Sequence, residues 1–373
     1  MTAAMGIGRF VYTPILPVMA DALGWSKVDA GLVASLNFLG YLVGALVIGA
    51  KVFASNPRRW LLTALAISSV TTAAMSLTSH LYPMMALRFT GGIASAFVIV
   101  CASTLVLERL AASGRARLAA IHFAGVGAGM VGSAIIVATL TAVGTGWRGL
   151  WAASGLAAFI AAAFVALLVP PISMQQSGKP VQAAGSNAGA LAWIALAHGL
   201  FGFGYVITAT FLVAIVRDTA TIRPLEPWIW ILVGLAAIPS VPVWQWLGRR
   251  IGLLPAYAVV CLVEAIGVAA SVEWVSMTGV CVSAILLGGT FMGLTALGLM
   301  AARELSSGQP QRAIGLTTAS FGFGQMIGPT VAGIMSEQSG SLRGASLLAA
   351  AALVLAAVLA VVASRKARVR QQP

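Results

Sequence analysis

Long apolar stretches alternate with short polar or basic breaks along nearly the whole chain, and most stretches run to about 20 residues or more. That is the length a helix needs to cross ~30 Å of hydrocarbon. Twelve helices are predicted. The first six lie at about 1–22, 29–50, 60–79, 82–107, 118–142 and 148–169. The second six lie at about 190–215, 227–247, 253–272, 277–302, 313–335 and 342–363. The weak apolar–polar dyad of a membrane β-barrel is absent. The expected fold is therefore an all-α membrane protein. Residues 1–170 form one six-helix half and 171–189 a polar cytoplasmic linker rich in Pro, Gly, Gln and Ser. Residues 190–364 form a second half, and 365–373 a basic tail.

Composition agrees. The 373 residues are 60% hydrophobic and 8% charged, with mean hydropathy +0.97, against about 25% charged residues in a soluble domain. The net charge of +13 raises the question of nucleic acid, but the cations form no stripe with interleaved aromatics. They sort instead by side of the membrane. One side holds Lys51, Arg58, Arg59, Arg109, Arg115, Arg117, Lys179, Arg249, Arg250, Arg303, Arg312, Arg365, Lys366, Arg368 and Arg370. The other holds only Lys27, Arg148, Arg217, Arg223 and Arg343. This asymmetry places both termini and the linker in the cytoplasm of a bacterial inner-membrane protein. No cleavable signal peptide is predicted. Cys101, Cys261 and Cys281 lie in apolar runs without C-x-x-C spacing, and His80, His122 and His198 are dispersed, so neither disulfide nor metal site is expected. No Walker A loop or other cofactor motif is present.

The chain repeats itself. Gly6-Ile-Gly8 matches Gly202-Phe-Gly204, Gly91-Gly92 matches Gly288-Gly289, and Gly125-Val-Gly127 matches Gly322-Phe-Gly324, each six helices further on. Two six-helix halves in parallel repeat is the plan of major facilitator transporters. In that plan helices 1, 4, 7 and 10 line a central cavity and helices 2, 5, 8 and 11 form the interface between halves. Small residues such as Gly125, Gly129 and Gly324, with polar Asn37 and Gln325, are expected at that interface to let helices slide or hydrogen-bond. Equating the halves also leaves helix 1 about a turn or two shorter than helix 7 at its cytoplasmic end. It is expected either to start at the membrane surface or to begin upstream of Met1.

GIGRFVYTPILPVM at Gly6–Met19, HGLFGFGYVITATFL at His198–Leu212 and GFGQMIGPTVAG at Gly322–Gly333 resemble signatures of the YbfB/YjiJ branch of the major facilitator superfamily. Arg88 before Gly91 resembles the superfamily's helix 4 motif, whose arginine is linked to coupling. Thr208 stands where that branch is expected to carry proline, which implies a straighter helix 7. Gly49–Arg59 lacks the Asp of the superfamily's loop between helices 2 and 3, so a gating ion pair is not expected there. The resemblance implies a secondary transporter.

Candidate chemistry centres on Arg9, a cation inside an apolar run between a Gly6-x-Gly8 turn and Pro14 and Pro17. A charge at this depth faces a bundle interior or a wet cavity. It binds an anionic group of substrate, or it locks helix 1 to its neighbours. Tyr12 shares its face. Arg88, His198, Tyr205 and Thr208 are further candidate substrate-binding positions, with Phe201, Phe203 and Phe211 as an apolar wall. Glu264 is the only acid well inside an apolar run; it either carries a coupling proton or sits neutral with a hydrogen-bonding neighbour. The expected function is secondary active transport of a small organic solute, favouring an anionic metabolite, by alternating access. The protein is expected to be a monomer in the bilayer, with a proton as candidate co-substrate, and not an enzyme. Efflux of hydrophobic or amphipathic compounds, or a sensor that kept the fold without transport, are the alternatives.

Overall fold

Each apolar run forms a helix, and polar residues set the ends. The computed structural model describes residues 1–48, 56–115, 118–169, 188–306 and 310–369, without the side chains of residues 108, 111, 310, 311 and 369. Six helices make the first half: α1 Thr2–Leu23, α2 Lys27–Val47, α3 Pro57–Ala74, α4 Leu81–Ala112, α5 Ala119–Ala142 and α6 Trp147–Leu168. The second half comprises α7 Ala188–Asp218, α8 in two pieces (Glu226–Ala237 and Ser240–Ile251), α9 Leu253–Glu273, α10 Met277–Glu304, α11 Pro310–Ser339 and α12 Arg343–Val369. Among the described residues all regular structure is helical.

Gly24, at φ 64°, closes α1 in the left-handed region that glycine adopts without steric cost. Ser26 and Asp29 then start α2 with a reciprocal capping box. Asn56 caps α3 ahead of Pro57, and Ser276 caps α10. Between its pieces α8 bends by 42°, at Pro239, which cannot donate to the helical ladder. The freed segment is held by side chains: Ser240 Oγ and Trp244 Nε1 both donate to Gly289 O of α10, at 2.8 and 2.5 Å.

Among the described residues ten helices are long and apolar enough to cross a membrane, and the bent α8 makes an eleventh. The expected run at 313–335 is present as α11 but fails that apolar test, because Thr, Ser, Gln and Gly dominate its sequence. It packs chiefly on α2 of the other half and on α7, with Leu316, Phe323 and Ile334 exposed on its outer face. Across the halves α5 also packs on α8 and α1 on α7. α12 continues as helix to Val369, so Arg365, Lys366 and Arg368 belong to its last turns rather than to a separate tail; cations suit a helix C-terminus. The linker up to residue 187, together with Lys51, Arg117, Lys179 and Arg370, lies outside the described residues.

Four of the residues expected between the halves are found inside them. A methyl group on Gly6 would stand 2.7 Å from the Gly129 carbonyl carbon, and Thr2 Oγ1 donates to Gly125 O at 2.9 Å. Gly125 and Gly129, one turn apart on one face of α5, therefore seat α1 of their own half. Gly324 faces Gly199 and Phe203 of α7, and Asn37 Nδ2 donates to Arg88 O of α4 at 2.8 Å. The cross-half glycine contacts include Gly127 against Gly234 of α8, Gly322 against Leu42 of α2, Gly31 of α2 against Pro329 of α11, and Gly333 of α11 against Lys27 of α2. Gln325 does reach across.

Candidate functional site

The centre of the site is a defect in α1. From Thr2 to Arg9 the chain winds as a π-helix, and α-helix resumes at Tyr12. Pro14 has no N–H for the carbonyls behind it, and the Thr13 N–H reaches Phe10 O at a long 3.4 Å. Arg88 of α4 supplies the missing donors. Its guanidinium donates to Gly8 O at 3.1 Å and Arg9 O at 3.2 Å, and lies 4.9 Å over the Tyr12 ring. The break thus sits at residues 10–11. Gly6-x-Gly8 is not the expected turn but helical backbone whose lack of side chains lets α5 and α3 approach.

That geometry turns Arg9 to the middle of the molecule, 4% exposed. One terminal N–H₂ donates to Gln325 Oε1 of α11 at 3.0 Å. The guanidinium carbon stands 4.4 Å from the Tyr41 ring centre and 4.8 Å from that of Phe38, both on α2. Its Nε has no partner, and among the described residues no carboxylate pairs with it. Cation–π contact offsets part of the cost of burying this charge, but no negative charge among the described residues neutralises it.

Gln325 Nε2 in turn donates to the Tyr205 hydroxyl of α7. The Tyr205 ring lies parallel to Phe291 of α10 (9°) and Phe321 of α11 (1°), each at 5.8 Å. Phe201 stacks on both Tyr205 and Phe321, and Phe10 meets Phe291 edge-on. Arg9, Gln325 and Tyr205 are therefore one hydrogen-bonded chain, with the cation from the first half and an aromatic wall from the second.

The other expected site residues are distributed around this chain. Tyr12 donates to Ala30 O at 2.7 Å, tying α1 to α2. Thr208 is fully buried and its hydroxyl has no partner among the described residues. His198 Nδ1 stands 3.0 Å from the Tyr257 hydroxyl within the second half, two turns of α7 from Tyr205. Glu264 is 0% exposed, and the Thr290 hydroxyl of α10 lies beside its carboxyl. Phe291, Phe321 and Trp230, whose ring packs on Phe10, were not singled out by the sequence; no local pattern separates a lining Phe from a lipid-facing one.

The repeat itself is visible at the contact between halves. Position 9 of the first half corresponds to 205 of the second, and these two are bridged by Gln325. Thr13 Oγ1 donates to Ala209 O at 2.7 Å, a separation of 196 residues, and Arg217 pairs with Asp21 at 2.7 Å, again 196 apart. Beside them lie Lys27–Asp218 at 2.8 Å, Val28 N to Glu337 Oε1 at 3.2 Å, and Thr330 to Ser35 at 2.8 Å. These ties between halves run from Arg9 towards the α1–α2 end of the bundle. The repeat offset applied to Asp21 would have found Arg217.

Solved transporters share this fold. The chain is similar to a mutant form of the nucleoside transporter NupG, with a TM-score of 0.73 at 14% identity over 98% of both chains. It is also similar to a bacterial homologue of the human lysosomal transporter Spinster, in an inward-facing and occupied conformation, with a TM-score of 0.72 at 14% identity over 98% of this chain and 95% of that one. At such identity these likenesses establish the fold. The family described as uncharacterised MFS-type transporter YbfB matches residues 1–361. The chain belongs to that family of multi-pass membrane transporters of the major facilitator superfamily.

Proposed function

We propose that this transporter moves a small organic anion across the bacterial inner membrane by alternating access, with Arg9 as the anion's principal partner. The observation that carries this reading is a buried guanidinium with a free Nε–H and, among the described residues, no carboxylate in reach. An unneutralised charge at bilayer depth is costly, and a carboxylate from solution would both neutralise it and accept its fork of donors. Arg88 is likewise buried with an unpartnered Nε, but it differs in that its terminal N–H groups already hold main-chain carbonyls of α1. It is a positioning residue that keeps the α1 break, and hence Arg9, in place.

With the basic loops in the cytoplasm, the tied α1–α2 end is periplasmic. The described conformation then corresponds to a state closed on the outside. Opening it requires breaking the exposed ion pairs Asp21–Arg217 and Lys27–Asp218, each worth only ~0.2–1 kcal/mol. Glu264 serves as the carrier of a coupling proton in this reading: it is a fully buried carboxyl of the second half, with the Thr290 hydroxyl as its neighbour.

The test is flux of labelled organic anions into proteoliposomes. Arg9→Lys keeps the charge and loses the planar fork, so apparent affinity should weaken by about tenfold or more, and Arg9→Gln should nearly abolish flux. Both should elute as single species. Normal transport by Arg9→Gln overturns the reading. The aromatic wall favours a second reading, efflux of neutral lipophilic compounds, whose flux would be indifferent to Arg9→Gln.

A further inference from the structure

The anion reading leaves open what the rest of the substrate is, and the contacts of Gln325 address that question. Its side-chain amide is a flat group of one acceptor and one donor, wedged between the Arg9 guanidinium and the Tyr205 hydroxyl. A carboxylate has nearly the same shape and two acceptors, so it can take the place of the amide oxygen on Arg9. The Gln325 N–H₂ and the Tyr205 O–H remain as donors to its second oxygen. Gln325 thus satisfies Arg9 while substrate is absent. The group it stands in for is planar and of carboxylate size, which a tetrahedral phosphate is not.

What surrounds this position is also planar. Aromatic residues are 8% of the chain, yet the wall beside Gln325 is made of rings, and three of them are nearly coplanar in orientation: Phe291, Tyr205 and Phe321, within 9° and 1° of parallel. Phe10 closes the side facing α1. Aliphatic packing would bury apolar substrate equally well. In the described conformation these rings are buried against one another, so a ligand ring enters as they part, and parallel faces then favour a flat π-system, which stacks on a face or meets an edge. The cation and the wall come from opposite halves and are joined through Gln325, so a molecule with a carboxylate at one end and a ring at the other would touch both.

Resting on the anion reading, we infer that the substrate is a small aromatic carboxylate. Its carboxylate replaces the Gln325 oxygen on Arg9, and its ring lies against Phe291 and Tyr205. Binding would then exchange a bond between the halves for a bond to substrate, loosening the innermost tie between α1 and α11.

The experiment is equilibrium binding to the purified full-length protein in detergent, with four probes: benzoate, cyclohexanecarboxylate, acetate and benzyl alcohol. Benzoate should bind about 3- to 10-fold more tightly than the puckered cyclohexanecarboxylate, and more tightly still than acetate. That ratio should fall towards one in Phe291→Leu and persist in Tyr205→Phe, which keeps the ring. If Phe291→Leu does not fold, Phe321→Leu is the replacement. Equal affinity for benzoate and cyclohexanecarboxylate, both lost in Arg9→Gln, overturns the aromatic inference and leaves the anion reading standing. Benzyl alcohol binding as well as benzoate, unaffected by Arg9→Gln, overturns both, as does failure of all four probes to bind.

Discussion

Asp21 and Arg217 occupy the same position in the two repeats, 196 residues apart, and their side chains meet at 2.7 Å. A structural repeat has here placed opposite charges at equivalent sites, so the halves attract where their equivalent helices converge. Arg217 also holds Glu226 of its own half at 2.8 Å, which fixes its fork for Asp21.

Because Asp21 is 64% exposed at its side chain, the pair biases the two conformations rather than locking one. Asp21→Asn should raise the population open at the α1–α2 end about two- to five-fold. Spin labels at Ala22 and Ala220, in a cysteine-free background, would read this as growth of a longer distance. An unchanged distribution would remove the pair from the gate.

The seat of α1 on α5 makes a paired glycine prediction. Gly6→Ala places a methyl against Gly129, with main chain on both sides, and should lower stability by about 1–3 kcal/mol. Gly132→Ala, on the same helix as Gly129 but facing open space, should be neutral or slightly stabilising, as Ala is the better helix former. Thermal unfolding in detergent separates the two; equal midpoints would show that α1 relaxes away from α5.

Arg88→Lys tests positioning against binding. An ammonium cannot span Gly8 O and Arg9 O as the fork does, so the variant should lose about 1–3 kcal/mol of stability. At temperatures where it stays folded, its preference among anionic probes should match that of the parent. A changed preference with unchanged stability would make Arg88 a direct substrate contact.

Glu264→Gln should fold normally and carry substrate with flux that no longer responds to an imposed pH gradient. Retained pH dependence in reconstituted vesicles would pass the coupling role to another group.

Much of this arrangement is legible before folding. Pro14 and Pro17 following an intramembrane arginine announce the broken α1, and the glycine repeat announces two halves. The faces are another matter. Gly125 and Gly127 look alike in sequence, yet two residues of helical rotation send one to α1 of its own half and the other to α8 of the opposite half. Phe291 is indistinguishable in pattern from Phe159, which is 56% exposed on the lipid side. The partners of Arg9 come from α2 and α11, hundreds of residues apart in the second case, and composition carries no trace of such a meeting.

The polarity of α11 bears on how the protein is made. A helix that is too polar to qualify as a membrane span by itself gains little from partitioning into lipid as it leaves the ribosome. Its greasiest available surroundings are other helices, and its largest contacts are α2, synthesised long before it, and α7. Both α2 and α7 precede α11 in the chain, so a protein surface from each half is there to receive it as it emerges. Translated without the first half, α11 would keep its packing on α7 and lose the larger share that α2 supplies.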